Sequence, residues 1–302
     1  MITISTNKGL TKIEDWEDIS SRPGFAASLN PAEHKLDAVI GRYSFPDKIR
    51  CGLSNCHKPH NKGYIVTTVL GIETNIGKDC GKTYFGIDFE IMTKQFDRDI
   101  TEQENRELLW SFSHQVSELE AKIQAVKLGD KGANWVHKHS QSLSISNTKV
   151  PHEISQRMSA LAKSRSNILY SQRLATEQEV ENLEVIQQKK LERPHYLNEP
   201  IGELSGIEAL YPENNLCQIV VINLEENLKA FKNVEIDQLS YEQLAYWKKW
   251  AGTVDSSLEN AKSIIEKGRL LLTPHNLAPL LNILDTGILR EQFRSFIDSL
   301  KH

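Results

Sequence analysis

The sequence predicts a mainly α protein built around one small α+β module. Three observations carry that expectation. Leu109, Phe112, Val116, Leu119, Ile123 and Val126 recur at alternating steps of three and four, an a/d seam. A stretch from Pro151 to about Glu192, ahead of Pro194, keeps its apolar residues on one side. Three of the four cysteines fall between Cys51 and Cys80, with strand and turn signals among them.

The chain has 302 residues, 39% hydrophobic and 25% charged, enough to bury a core and without the bias of a disordered or disulfide-dense protein. No run approaches the ~20 apolar residues that span a bilayer, and the first residues hold no apolar block of the secretory kind. The expectation is a cytoplasmic protein with no membrane contact. In that reducing compartment clustered cysteines hold metal rather than one another.

Residues 1–45 read as a leader with short helices, one of them from Asn30 to Ile40, where Asn30 is placed to cap and Pro31 suits the first turn. Residues 46–98 form the cysteine module. Cys51-Gly-Leu-Ser-Asn-Cys56-His57-Lys-Pro-His60 offers thiolates and imidazoles at spacings close to those of structural zinc sites. Gly63 then opens the run Tyr64 to Val69, Leu70-Gly71 supplies a turn, and Ile72 to Ile76 returns with alternating polarity, as in a half-buried hairpin. Gly77 ends the strand and a short helix follows from Cys80 to about Phe85. A thiolate in the first turn of a helix faces unpaired N–H groups and the positive end of the dipole, which favours its ionised, metal-binding form.

Loop ligands, a hairpin and a ligand at a helix start follow one another in the order of a treble clef. On the residues Cys51, Cys56, Ile76-Gly77-Lys-Asp-Cys80 and Phe85-Gly86, the stretch resembles the treble-clef zinc fingers, in particular small modules of bacteria and mobile elements. It departs from them in a C-x4-C knuckle where x2 is usual, and in a helix with one cysteine where two ligands are common. The ligand set read here is Cys51, Cys56, His60 and Cys80. His60 is preferred to its neighbour His57 because three residues after Cys56 allow the loop to wrap the ion, with Asp79 or an outside residue as further alternatives. Four protein ligands leave no open position, so the zinc is structural in this reading.

Residues 99–198 read as a long helical pair, a hairpin or coiled-coil arms over 101–127 and 151–192, starting at a Thr101/Glu104 capping box and joined by a polar connector from Ser140 to Thr148. Residues 199–302 read as a C-terminal helical region with segments near Leu216 to Phe231, Ser240 to Lys267 and Asn276 to Leu300. Gln218 to Ile222 is short and apolar enough to be a strand instead.

The net charge of -4 conceals a basic island: residues 131–175 hold seven Lys and Arg against the single acid Glu153. Lys138, Arg157, Lys163 and Arg165 belong to it, and Lys58, Lys62, Lys78 and Lys82 surround the cysteines. Such groups either meet phosphate or balance acids and thiolates within the same fold. No H-E-x-x-H and no zinc-deaminase pattern occurs, and Gly81-Lys82-Thr83 lacks the first glycine of a phosphate loop because position 76 is Ile76. Cys217 stands alone as a free thiol. The function expected is a zinc-finger protein, not an enzyme, that binds DNA or RNA through the module and the island and self-associates or meets a protein partner through the helices. A scaffold using the finger and coiled-coil contacts is the alternative, and a treble-clef nuclease a more distant one.

Overall fold

The computed structural model describes residues 1–6, 9–145 and 147–301. Its chain is mixed α/β, which corrects the mainly α expectation: a five-stranded antiparallel sheet and a two-stranded sheet stand among the helices. The chain divides into two compact units, Met1–Trp110 with Ile236–Lys248, and Ser111–Glu235 with the chain from Lys249 on.

The first unit is organised by the larger sheet, in the order β2 (Gly9–Ile13), β1 (Ile2–Thr6), β3 (Leu36–Arg50), β4 (Pro59–Thr68) and β5 (Glu73–Gly77). The expected hairpin is β4 and β5, paired from Gly63 with Gly77 to Thr67 with Glu73 and turned at Gly71, whose φ of 76 suits glycine. The leader expected to carry short helices also holds β1, β2 and the first part of β3. Only α1 (Glu17–Ser20) is helical there, and the proposed helix at Asn30 is a turn in which Asn30 accepts from Ala32 N at 3.1 Å before β3 begins. The strands were hidden because β1, besides pairing with β2, reaches β3 some forty residues away, from Ile2 to Tyr43.

Both sheet faces are covered, and β4 shows why. Tyr64 and Val66 point into a core with Val39, Ile76, Phe89, Phe96 and Ile100, while Ile65 points the other way, among Ile2, Ile4, Ile19 and Tyr43. Phe89, Phe96 and Ile100 come from α2 (Lys78–Ser113). This helix begins where expected but does not end at Phe85: it kinks at Gly86, with φ 63 and ψ -140, and continues. Thr101 therefore lies inside a helix, its hydroxyl donating to Asp97 O at 2.7 Å, and caps nothing.

In the second unit the a/d seam is internal packing rather than a free arm. The chain leaves helical form at His114 and Gln115, and Val116, Leu119 and Ile123 of α3 (Val116–Leu128) are buried. After α4 (Ala133–Ser144), the supposed long helix 151–192 is three elements: α5 (His152–Ser164), strand β6 (Ile168–Leu174) and α6 (Glu177–Gln187). Arg165, left-handed at φ 52, ends α5, and β6 pairs with β7 (Tyr196–Glu203). Ser146, within the expected connector, lies outside the described residues. Gln218 to Ile222 is helical, inside a π-helical stretch Cys217–Glu226 that leads into α7 (Asn227–Lys232). The capping box at Ser240 is present, with Ser240 N donating to Gln243 and Gln243 N to Ser240 Oγ. It opens α8 (Tyr241–Ala251), followed by α9 (Val254–Leu271), α10 (Pro274–Leu277) and α11 (Gly287–Ser299). Among the described residues no helix is long and apolar enough to cross a membrane.

The kink brings the Phe89 ring back over Gly81, where an added Cβ would meet ring atoms at 2.2 Å. Gly81→Ala is expected to destabilise the fold by about 1–3 kcal/mol through overpacking, and Gly86→Ala by about as much through backbone strain. Denaturant unfolding checks both, and wild-type midpoints for the pair would refute this account of the kink.

Candidate metal centre

Three segments converge on one point. Cys51 follows the last residue of β3, Cys56 closes the loop after it, and Cys80 sits in the first turn of α2; their three sulfurs lie within 4.8 Å of one another, close enough to hold a metal ion. The loop is fixed by backbone: Cys51 N donates to Lys58 O at 3.1 Å, Cys56 N to Leu53 O at 3.1 Å, and Gly52 N to Asn75 O at 2.8 Å. Gly52 is required, since a Cβ there would stand 2.2 Å from Thr74 Oγ1. Strand β5 serves the loop with side chains as well, Thr74 Oγ1 donating to Ala26 O at 2.7 Å and Asn75 Nδ2 to Arg50 O at 2.8 Å.

The sulfurs are free thiols, with Cys56 and Cys80 only 3.1 Å apart. Cys51 is fully buried and Cys80 is 9% exposed. Burial pushes the Cys80 thiol up to about 12, helped by its hydrogen bond with Cys56 and by the nearby sulfurs. Burial also raises Cys51, against hydrogen bonds from the backbone of Leu53 and Gly77. For Cys56 burial acts upward too, but hydrogen bonds from the Lys58 backbone and the other two sulfurs outweigh it and hold that thiol below its ordinary value. Three thiolates at this separation repel one another, and a soft cation among them removes both the repulsion and the burial penalty. The donor set therefore fits a thiophilic metal.

The structure does not bring His60 into the sulfur group. Its Nδ1 donates to Lys58 O at 3.0 Å, and its Nε2 accepts from the Tyr43 hydroxyl. Tyr43 is 3% exposed, its hydroxyl also accepts from Asn75 Nδ2 at 3.1 Å, and burial raises its pKa, so it stays a protonated donor. His57 is exposed, at φ 49, with Nδ1 at 3.2 Å from Cys51 O. Asp79 is exposed on α2. Tyr43 and Asn75 drew no notice in the sequence, where the only sign of them was polar residues in runs that otherwise read as strand.

Of the predicted basic residues, Lys58, Lys62, Lys78, Lys82, Lys138, Lys163 and Arg165 are exposed and Arg157 is half-buried. Lys82 pairs with Glu90 at 3.0 Å and Arg165 with Glu213 at 2.6 Å. Among the described residues the other six make no ion pair. Lys62 and Lys78 line one cleft of about 430 Å³ with Tyr43, Tyr64 and Arg42, whose guanidinium is already held by Glu104 at 3.3 Å. No protein family, curated protein or solved structure matches the chain.

In the metal-depleted chain, iodoacetamide near pH 8 is expected to label Cys56 before Cys51 and Cys80, as read by mass spectrometry. Because the folded pKa of Cys80 is raised, its contribution to stability is complete below the ordinary thiol value of about 8.5 and is lost as pH climbs toward about 12. Equal labelling of all three under native conditions would contradict this assignment.

Proposed function

We propose that the chain is a zinc-finger protein that binds nucleic acid. Its module is a treble-clef-like finger in which Cys51, Cys56 and Cys80 hold structural zinc, supported by their sulfurs lying within 4.8 Å and by the order of loop, hairpin and helix. Bound there, the ion supplies cross-linking and neutralises thiolate charge; it performs no chemical step. His60 is the fourth ligand in this reading, which requires its Nε2 to leave the Tyr43 hydroxyl. The exchange is favourable in magnitude: a net hydrogen bond contributes about 1 kcal/mol, whereas structural zinc binds with about 10–16 kcal/mol shared among four ligands.

The observation that carries the nucleic-acid reading is that Lys62 and Lys78, exposed and without an ion pair among the described residues, line the same cleft on the finger. Lys58 on the module, and Lys138, Arg157 and Lys163 on the island, are cations of the same kind, free to release counterions from a phosphate backbone. Lys82 and Arg165 each share their charge with a carboxylate and contribute less.

About one zinc per chain is expected, lost in Cys51→Ser, Cys56→Ser, Cys80→Ser and His60→Ala and kept in His57→Ala, as measured by elemental analysis. Affinity for random-sequence oligonucleotides is expected to fall steeply as salt rises from 50 to 200 mM, and Lys62→Ala with Lys78→Ala to reduce the log-log salt slope by about 2. Fluorescence anisotropy on DNA and RNA decides it: no binding at low salt ends the nucleic-acid reading, while zinc content tests the finger separately.

A further inference from the structure

Helix α4 buries Ala133, Val136, Ser140 and Leu143 along one side, so Ser140 occupies a core position that an apolar residue would normally fill. It is 7% exposed, and its Oγ has no hydrogen-bond partner among the described residues. Its neighbours behave otherwise. Ser142 and Ser144 each donate back to the carbonyl four residues earlier, at 3.1 Å. A buried hydroxyl left without a partner costs about 1–3 kcal/mol, and such an atom calls for a ligand or ordered water.

Ser140 lines a cavity of about 210 Å³ between α4 and the segment 209–216. The two walls differ in kind. On α4, His137, Ser140 and Gln141 stand at i, i+3 and i+4 and present one polar edge. Burial lowers the pKa of His137, so its ring is neutral near pH 7. Opposite them are Leu210, Tyr211, Pro212 and Leu216, with Asn215, whose Oδ1 already accepts from Cys217 N and Gln218 N, so that wall is mainly apolar. No charged side chain lines the cavity, and an ionised ligand group would lose hydration there without compensation. Charge stands beside the Tyr211 wall: Arg165 lies 5.1 Å from that ring's centre while pairing with Glu213.

An uncharged slot with one polar edge and a mainly apolar wall suits a flat neutral base and leaves an attached anionic phosphate outside it. We propose that this cavity binds a single nucleobase, with Ser140 Oγ donating to an acceptor on the base edge and the phosphate left outside in solvent. The volume lies below the ~300–1,000 Å³ of sites for drug-sized molecules, which suits one base rather than a whole nucleotide. The base comes from a free nucleotide or from a single strand, and the strand as its source rests on the nucleic-acid reading above.

The test uses the whole chain as purified. Saturation-transfer NMR with AMP, GMP, CMP and UMP is expected to mark base protons more strongly than ribose protons for at least one of them. Ser140→Ala, which keeps helix propensity, is expected to weaken that binding about threefold to tenfold, the loss of one hydrogen bond. Ser140→Leu, which fills the slot, is expected to weaken it more than about tenfold. Should Ser140→Leu fail to fold by circular dichroism, Ser140→Ala decides. A second arm compares a single-stranded oligonucleotide with the same strand made abasic. Weaker binding of the intact strand by the variants, with the abasic strand unaffected, makes the strand the source. Mononucleotide binding that responds to the variants while strands do not bind at all keeps the cavity and removes the nucleic-acid reading. Salt-dependent strand binding identical in wild type and both variants, with no mononucleotide signal, removes the cavity and leaves that reading standing. Mononucleotide binding indifferent to both substitutions also overturns the proposal.

Discussion

Everything in the first unit depends on three sulfurs being held closer together than free thiols have reason to be. Cys51 and Cys80 sit in the same core as Val39, Val66, Ile76 and Phe89, so the site is part of the hydrophobic interior rather than an attachment to it. Burial opposes ionisation of two of the three, and unlinked thiols at 3.1 Å gain little from one another. The arrangement becomes favourable when a cation joins the strand end, the loop and the helix tip. A metal held there would be linked to folding.

The support for that arrangement is polar and almost wholly satisfied. Asn75 gives its amide to Tyr43 and Arg50 and its carbonyl to Gly52. Thr74 reaches Ala26, and Arg22 grips Glu73 with two nitrogens at 2.9 and 3.0 Å. Strand β5 thus ties the segment before β3 to the loop after it. Because each buried group has a partner, the loop has one conformation rather than several.

The parts of this fold legible in the sequence were the local ones. The hairpin of β4 and β5, the helix start ahead of Cys80 and the convergence of three cysteines each depend on residues near one another in the chain. What escaped was non-local pairing. Strand β3 runs for 15 residues with register shifts that blur its alternation, and β6 finds its partner only beyond α6. Periodicity also continued through breaks it could not register: the seam from Leu109 to Val126 keeps its spacing across the turn at His114 and Gln115. Ser140 was visible only as one polar residue in a polar run, since an orphaned hydroxyl is a property of packing.

Several arginines hold carboxylates: Arg22 with Glu73, Arg173 with Glu179, Arg165 with Glu213 and Arg42 with Glu104. Lys58, Lys62 and Lys78 of the cysteine module and Lys138 and Lys163 on α4 and α5 are left to solvent, whereas Lys127 pairs with Glu225 at 2.5 Å. A chain that needed these cations only to balance its own acids would pair them, and among Lys58, Lys62, Lys78, Lys138 and Lys163 it does not. An unpaired lysine at the surface costs little and remains available to a phosphate in any local geometry, because the ammonium acts as a point charge rather than a fork. The surplus suits the proposed contact with a phosphate backbone, which positions a protein without reading sequence.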